Sequence, residues 1–198
     1  KRQGLDKARV LTPDDIMHGQ VPGGSVLVYD DDHYYMGSVI AELLIGAGCA
    51  VTFATPATSV AAWSEFTLEQ HRIQSRLLEL GVHIVTSHEL AEVNDSEARL
   101  ACIYSGASQR VEAATVVMVT SRIPNDDLYH RLAEDDDRLR DAGIETLRQI
   151  GDCHAPATIA AAVYEGHRFA RELGEEPQDI PFEREITELV PDFHLPGA

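Results

Sequence analysis

Apolar positions recur along the chain in two periods, and the clearest switch between them runs from Ser25 to Thr55. Val26-Leu27-Val28-Tyr29 is a short apolar run, and Met36, Val39, Ile40, Leu43, Leu44 and Ala47 follow at the three-and-four spacing of one helix face. Gly48 is placed to end that helix in a left-handed conformation, and Ala50 to Ala54 predicts a second buried strand. Strand, helix and strand make a right-handed βαβ unit.

Around this unit the pattern predicts further elements. Thr12-Pro13-Asp14-Asp15 is a helix start, with Thr12 as N-cap, and a single short helix from Asp14 to His18 is expected in the lead-in segment 1–23. Phe66, Ile73, Leu77 and Leu80 mark one face of a second helix that stops at Gly81, and Val82 to Val85 follows as a third strand. Glu89–Val93, Ala98–Tyr104 and Gln109–Glu112 are separated by Asn94-Asp95 and Ser105-Gly106, the turn chemistry of an antiparallel meander appended to the parallel sheet. Thr115 to Val119 is an unbroken apolar run and is expected to be buried on both faces.

Asp126 to Arg140 is a charged helix or a pair of turns, and its Asp135-Asp136-Asp137 run is a solvated surface before it is a metal site. Thr146 to Ile150 is expected to be a strand ended by Gly151-Asp152, with Pro156 in the first turn of a long helix whose small face is Ile159, Ala160, Val163, His167 and Ala170. Prolines 177, 181, 191 and 196 break the tail, which is expected to be extended. The fold class is therefore α/β: a Rossmann-like parallel sheet with flanking helices and an antiparallel meander.

Chemistry changes this picture at the first turn. A dinucleotide fold needs glycines there so that the backbone approaches a pyrophosphate at the helix N-terminus. The chain has Asp30-Asp31-Asp32-His33-Tyr34-Tyr35-Met36-Gly37, so three carboxylates stand where the phosphates belong and only Gly37, in the helix-packing position, remains. The second strand ends at Thr55-Pro56, without the carboxylate that would hold an adenosine ribose. The scaffold of a dinucleotide domain is present without its two contact signatures.

With 16 basic against 33 acidic residues the net charge is −17, which disfavours nucleic acid and anionic membranes as partners. No apolar run approaches the ~20 residues of a spanning helix, and a cytoplasmic location is expected. Cys49, Cys102 and Cys153 are too widely spaced for an iron–sulfur or zinc cluster and are expected to be reduced thiols. The start at Lys1, with no initiator Met, is expected to be internal to a longer chain. Asp152, at a strand end beside a helix N-terminus, is either a helix cap or a partner for a ligand hydroxyl, with free amides of the turn facing a phosphate.

The stretch from Ile150 to Arg171, IGDCHAPATIAAAVYEGHRFAR, resembles the C-terminal flavin-binding signature of flavoproteins with two dinucleotide domains. It is most similar to the group of trimethylamine dehydrogenase, histamine dehydrogenase, dimethylglycine demethylase and 2,4-dienoyl-CoA reductase, old yellow enzyme-like NADH:flavin oxidoreductases. Val26 to Leu44, Phe66 through Leu80, Val116 to Asn125 and Pro181 to Glu185 agree in order and spacing, so the resemblance covers nearly the whole chain.

The resemblance implies a glutathione-reductase-like nucleotide-binding architecture at the end of a longer enzyme, whose upstream (β/α)₈ barrel carries FMN and an iron–sulfur cluster. It implies an NAD-like domain over 24–114, a return into an incomplete FAD-like domain over 115–174, and a tail over 175–198. Asp152 matches the acidic residue that contacts the nucleotide or ribityl part, beside Gly151. Ala157, Thr158 and Ile159 match the helix start beneath it. Thr120-Ser121-Arg122 stands where the family often has Thr-Gly-Arg, so Thr120 and Arg122 are cofactor-binding candidates and Ser121 restricts the backbone.

The glycine-poor turn resembles the amine-dehydrogenase branch, in which ADP or FAD is held and electrons leave for an electron-transfer flavoprotein. On that implication the chain contributes scaffold and part of a nucleotide site, with no catalytic residue and no metal ligand. By itself it would hold nucleotide weakly or not at all. Its partners would be the upstream barrel and the first half of the FAD-like domain, in a homo-oligomer. Two other readings stand beside this one: an NAD(P)H-binding piece of a dienoyl-CoA-reductase-like enzyme, and a non-catalytic docking or oligomerisation module.

Overall fold

The computed structural model describes residues 9–174, which belong to two compact units, Lys1–Ser121 and Arg122–Ala198. The tail expected over 175–198 lies outside the described residues. The described part of the first unit opens with a strand that the sequence pattern does not announce, β1 (Arg9–Leu11). Three residues are too few to display a period, and its parallel partner is Thr115 to Val117, at the other end of the unit. The lead-in thus carries this strand in addition to the expected short helix.

Helix α1 (Pro13–Met17) begins as its residues dictate. The Thr12 hydroxyl accepts the Asp15 N–H at 3.2 Å, and the Asp15 carboxylate accepts the Thr12 N–H at 2.8 Å. This reciprocal pair satisfies two donors that a helix start otherwise leaves to water. Those bonds hold the Asp15 carboxyl below its ordinary value. Thr12→Ala is expected to cost about 1 kcal/mol in denaturant unfolding, with Thr12→Ser near wild type.

The βαβ unit follows as β2 (Ser25–Asp30), α2 (Met36–Gly46) and β3 (Ala50–Ala54), with Gly48 at φ +86° turning the chain between α2 and β3. After a 3-10 turn (Ala62–Thr67) come α3 (Gln70–Glu79) and β4 (His83–Val85). Phe66 therefore precedes α3 and is 81% exposed, a correction to the expected helix face. The 3-10 turn is bracketed by Ala61 at φ +50° and Leu68 at φ +62°, which stops the helix from extending back to Phe66. Val39 and Leu43, at the margin of the apolar stripe on α2, are also exposed, while Ile40, Ala41 and Leu44 are buried.

Strands β5 (His88–Val93), β6 (Glu97–Cys102) and β7 (Ser108–Glu112) form an antiparallel sheet of their own, and β8 (Thr115–Val119) returns to the parallel sheet. The parallel order is β1-β8-β2-β3-β4. Alternation along the central strands explains why their apolar runs are unbroken. Val26 and Val28 of β2 pack with Ile40 and Leu44 on the helix side, while Leu27 and Tyr29 pack with Leu90, Leu100 and Val111 of the meander. Helices cover one face of the sheet and the meander covers the other. Burial on both faces requires an apolar residue at every position.

The described part of the second unit contains α4 (Asp127–Ala133), α5 (Asp136–Asp141) and α6 (Ile159–Glu172). Two expectations are corrected here. Thr146 to Ile150 forms no strand; Arg148 of that segment lies 3.6 Å from Glu172 and 5.7 Å from the Phe169 ring, so the segment is pinned to α6 by side chains. Pro156 lies before α6, whose N-cap is Thr158, rather than in its first turn. Among the described residues no helix is long and apolar enough to cross a membrane.

Candidate functional site

Two places come forward, one in each unit. In the first unit β2 delivers Asp30 to the sheet end, where it is fully buried. Its Oδ1 accepts the N–H groups of Asp32 and His33, both at 3.3 Å, and its Oδ2 has no hydrogen-bond partner among the described residues. Burial pushes the Asp30 carboxyl up to about 7; the two amides pull against this and the charges of Asp32 and Asp31 add to it. Desolvation dominates because two neutral donors cannot replace the water that a carboxylate loses.

The rest of the turn is tied down around that side chain. Asp31 N–H donates to the Val119 carbonyl at 2.8 Å, and Trp63 N–H to the His33 carbonyl at 2.9 Å. His33 sits at φ +64°, with its Nδ1 3.3 Å from the Thr55 hydroxyl. Tyr34 and Tyr35 stack at 3.9 Å with their hydroxyls 2.9 Å apart. Gly37 is required by geometry: a Cβ there would lie 2.8 Å from Asp30 Cγ.

The space beneath the first turn of α2 thus holds the chain's own carboxyl, with Asp31 and Asp32 exposed on the turn above. A pyrophosphate brought to this helix start meets like charge. Thr55, where a ribose-binding carboxylate would stand, is buried and accepts the Ala57 N–H at 3.2 Å.

In the second unit, Gly151 adopts φ +65° and opens a 3-10 turn (Gly151–Cys153). The His154 and Ala155 amides both return to its carbonyl at 2.9 Å. Asp152 is exposed on this turn and its Oδ1 accepts the Ala157 N–H at 3.4 Å. Thr158 adopts extended φ/ψ as N-cap of α6 without a side-chain hydrogen bond to it, and Ile159 begins the helix, 84% exposed.

Of the seven expected nucleotide contacts, five, Gly151, Asp152, Ala157, Thr158 and Ile159, lie in this one turn and helix start. The other two are separate: Thr120 follows β8 in the first unit, half-buried, and Arg122 opens the second unit. Sequence reasoning missed Glu165, whose carboxylate reaches back from α6 to the Gly151 amide and the His154 ring. Its position one turn past Ala162, which faces Gly151, is the signal that would have found it.

The described residues hold no group of three or more His, Cys, Asp or Glu side chains placed to bind a metal ion. Asp152 thus stands ahead of the start of α6, on a turn opened by a left-handed glycine.

Comparison with known proteins agrees with the architecture. The model of the OYE-like second alpha/beta domain matches residues 11–136. Dimethylamine dehydrogenase of Hyphomicrobium sp. (strain x) is 33% identical over 197 residues, which covers 89% of this chain and 27% of that protein. Histamine dehydrogenase from Rhizobium sp. 4-9 superposes with a TM-score of 0.82 at 42% identity, covering 93% of this chain and 28% of the other. The 6-hydroxypseudooxynicotine amine oxidase of Pseudomonas geniculata N1 gives 0.80 at 36%, covering 87% and 26%. The chain spans about a quarter of the length of these relatives.

Proposed function

The chain belongs to the OYE-like second alpha/beta domain family, and from that premise we propose that it is the C-terminal nucleotide-binding part of a flavin-dependent amine dehydrogenase or demethylase. In this reading it supplies scaffold and part of an ADP or FAD site, and the catalytic centre lies elsewhere in the complete enzyme. The observation that carries the reading is Asp30. A buried carboxyl beneath α2, crowned by two more aspartates, disfavours NAD(P)H at the βαβ turn. The relatives similar over most of this chain include two amine dehydrogenases and an amine oxidase.

In this proposal Asp152 takes a ribose or ribityl hydroxyl and the open start of α6 faces a phosphate, the arrangement that suits an anion at a helix N-terminus. Arg122 of the same unit and, separately, Thr120 of the first unit are further candidates for nucleotide contact. The NAD-like domain, expected over 24–114, is proposed to extend through β8, which pairs with β2, and the return into the FAD-like domain, expected over 115–174, to begin instead with the second unit, which needs its other half. FMN and an iron–sulfur cluster would belong to the remainder of the enzyme, where FMN supplies the hydride chemistry. An electron-transfer flavoprotein is the proposed acceptor, and the complete enzyme is proposed to be a cytoplasmic homo-oligomer.

Calorimetric titration tests this directly. The complete enzyme is expected to show no saturable NADH binding at the βαβ turn and to retain ADP binding. Saturable NADH binding that tightens on Asp31→Gly would replace this reading with that of an NAD(P)H-dependent reductase.

A further inference from the structure

Glu165 turns its carboxylate from α6 back onto the turn that precedes the helix. Its Oε2 accepts the Gly151 N–H at 2.5 Å, and its Oε1 lies 3.2 Å from His154 Nδ1. On the same face of α6, one turn earlier, the Ala162 methyl lies 3.6 Å from the position a Gly151 Cβ would take. The Gly151 carbonyl is held from the other side by the His154 and Ala155 amides. Both polar groups of the Gly151 backbone are therefore engaged, one of them by a charged side chain. The Gly151 N–H, followed by the His154 ring, keeps the Glu165 carboxyl below its ordinary value.

Asp152 is the next residue, and nothing comparable fixes it. Its bond to the Ala157 amide is long, at 3.4 Å, and the side chain is exposed. The position of its Cα is set by the two peptides that flank Gly151: Glu165 holds the N–H of the Ile150–Gly151 peptide, the His154 and Ala155 amides hold the carbonyl of the Gly151–Asp152 peptide, and between them lies a left-handed φ that a free glycine readily leaves. A charge-assisted bond from carboxylate to amide is about twice as strong as a neutral one and removes that freedom.

We propose that Glu165 is a positioning residue for the Gly151-Asp152 turn, holding Asp152 where it takes a ribose or ribityl hydroxyl. This rests on the nucleotide site proposed above. The carboxylate touches no nucleotide; it acts through the Gly151 backbone and the His154 ring.

The experiment compares ADP affinity and backbone amide exchange in the complete enzyme and its variants. Glu165→Ala is expected to weaken ADP about ten-fold, the usual loss for a hydrogen bond to a charged group, and to speed exchange of the Gly151 amide. Glu165→Gln keeps both the acceptor for Gly151 and the shape of the side chain and is expected within about three-fold of wild type. Glu165→Asp keeps charge and helix but withdraws the carboxylate by a methylene, so it is expected to behave like Ala even if the alanine variant folds poorly. Wild-type affinity in both Glu165→Asp and Glu165→Ala overturns the positioning role alone. Failure of the unmodified enzyme to bind ADP overturns the nucleotide reading, and the positioning role with it.

Discussion

Asp30→Asn is expected to stabilise the protein at pH 8 by up to about 4 kcal/mol and to leave much less difference at pH 4. The sign follows from the direction of the shift. The folded carboxyl titrates near 7, whereas an unfolded aspartate titrates near 3.8. Between those values the folded state binds the proton and the unfolded state does not. Stability contributed by protonated Asp30 is therefore complete below pH ~4 and lost as pH rises through ~7. Asn imitates the neutral acid and still offers an oxygen to the Asp32 and His33 amides.

Denaturant unfolding of both proteins from pH 4 to pH 8, taken as a difference, isolates this group from the other acidic residues. A flat difference would show that water or the turn solvates Asp30 better than its burial indicates. The groups able to offset the prediction are few. Asp31, Asp32 and His33 share its turn, and the flanking strands β3 and β8 carry no ionisable side chain.

Gly37→Ala is expected to be the other severe substitution, costing about 3 kcal/mol, at the upper end of the range for overpacking a core. The added methyl would lie 2.8 Å from Asp30 Cγ and 3.0 Å from its Cβ. Asp30 is short, buried and held by two backbone amides, so it has little room to yield. Two controls make the cause separable. Gly46, at the other end of the same helix, has nothing within 4 Å of an added Cβ, so Gly46→Ala is expected to be neutral or mildly stabilising. Combining Gly37→Ala with Asp30→Ala removes the Cγ and Oδ1 contacts and leaves only the 3.0 Å approach to Cβ, so the double variant is expected to be more stable than the two separate costs together imply. Thermal unfolding that finds strict additivity would rule out the contact as the cause.

Both effects arise at a turn whose identity was legible in the sequence and whose energetics were not. The run of three aspartates announced that phosphate is unwelcome, but a string gives no means to see that the first aspartate is buried while the next two are exposed. Burial is set by Gly37 closing over the carboxyl from the helix, a contact between residues of different elements. The strands β2, β3 and β8 and the helix α2 were legible because each carries its own periodic signal, and the Thr12 cap because its partners are three residues apart.

What failed depended on context. Three residues of β1 contain no period. Phe66 has the right spacing for α3, but Leu68 in a left-handed conformation interrupts the helix. Thr146 to Ile150 has the composition of a strand, yet Arg148 fastens it to α6 and no described strand pairs with it. In the candidate site, the order Gly151, Asp152, Ala157 to Ile159 was readable from a family resemblance. Glu165 was not, since it meets Gly151 across a gap of 14 residues that only the fold closes.

The strand order also fixes when this domain can finish folding. β8 lies between β1 and β2, so it is the piece that joins β1 to the rest of the sheet. On a ribosome β1 emerges before the other strands of this sheet and waits without its sheet partner until residues 115–119 appear, while β2, β3 and β4 assemble beside their helices. Through that interval β2 presents an open edge bearing Val26 and Val28, the kind of edge along which nascent chains pair wrongly. Long-range closure of this sort is slow, because loop entropy is lost before the new contacts form. A chain halted before residue 115 is thus a sheet with its seam open, and the five residues of β8 are the stitch that closes it.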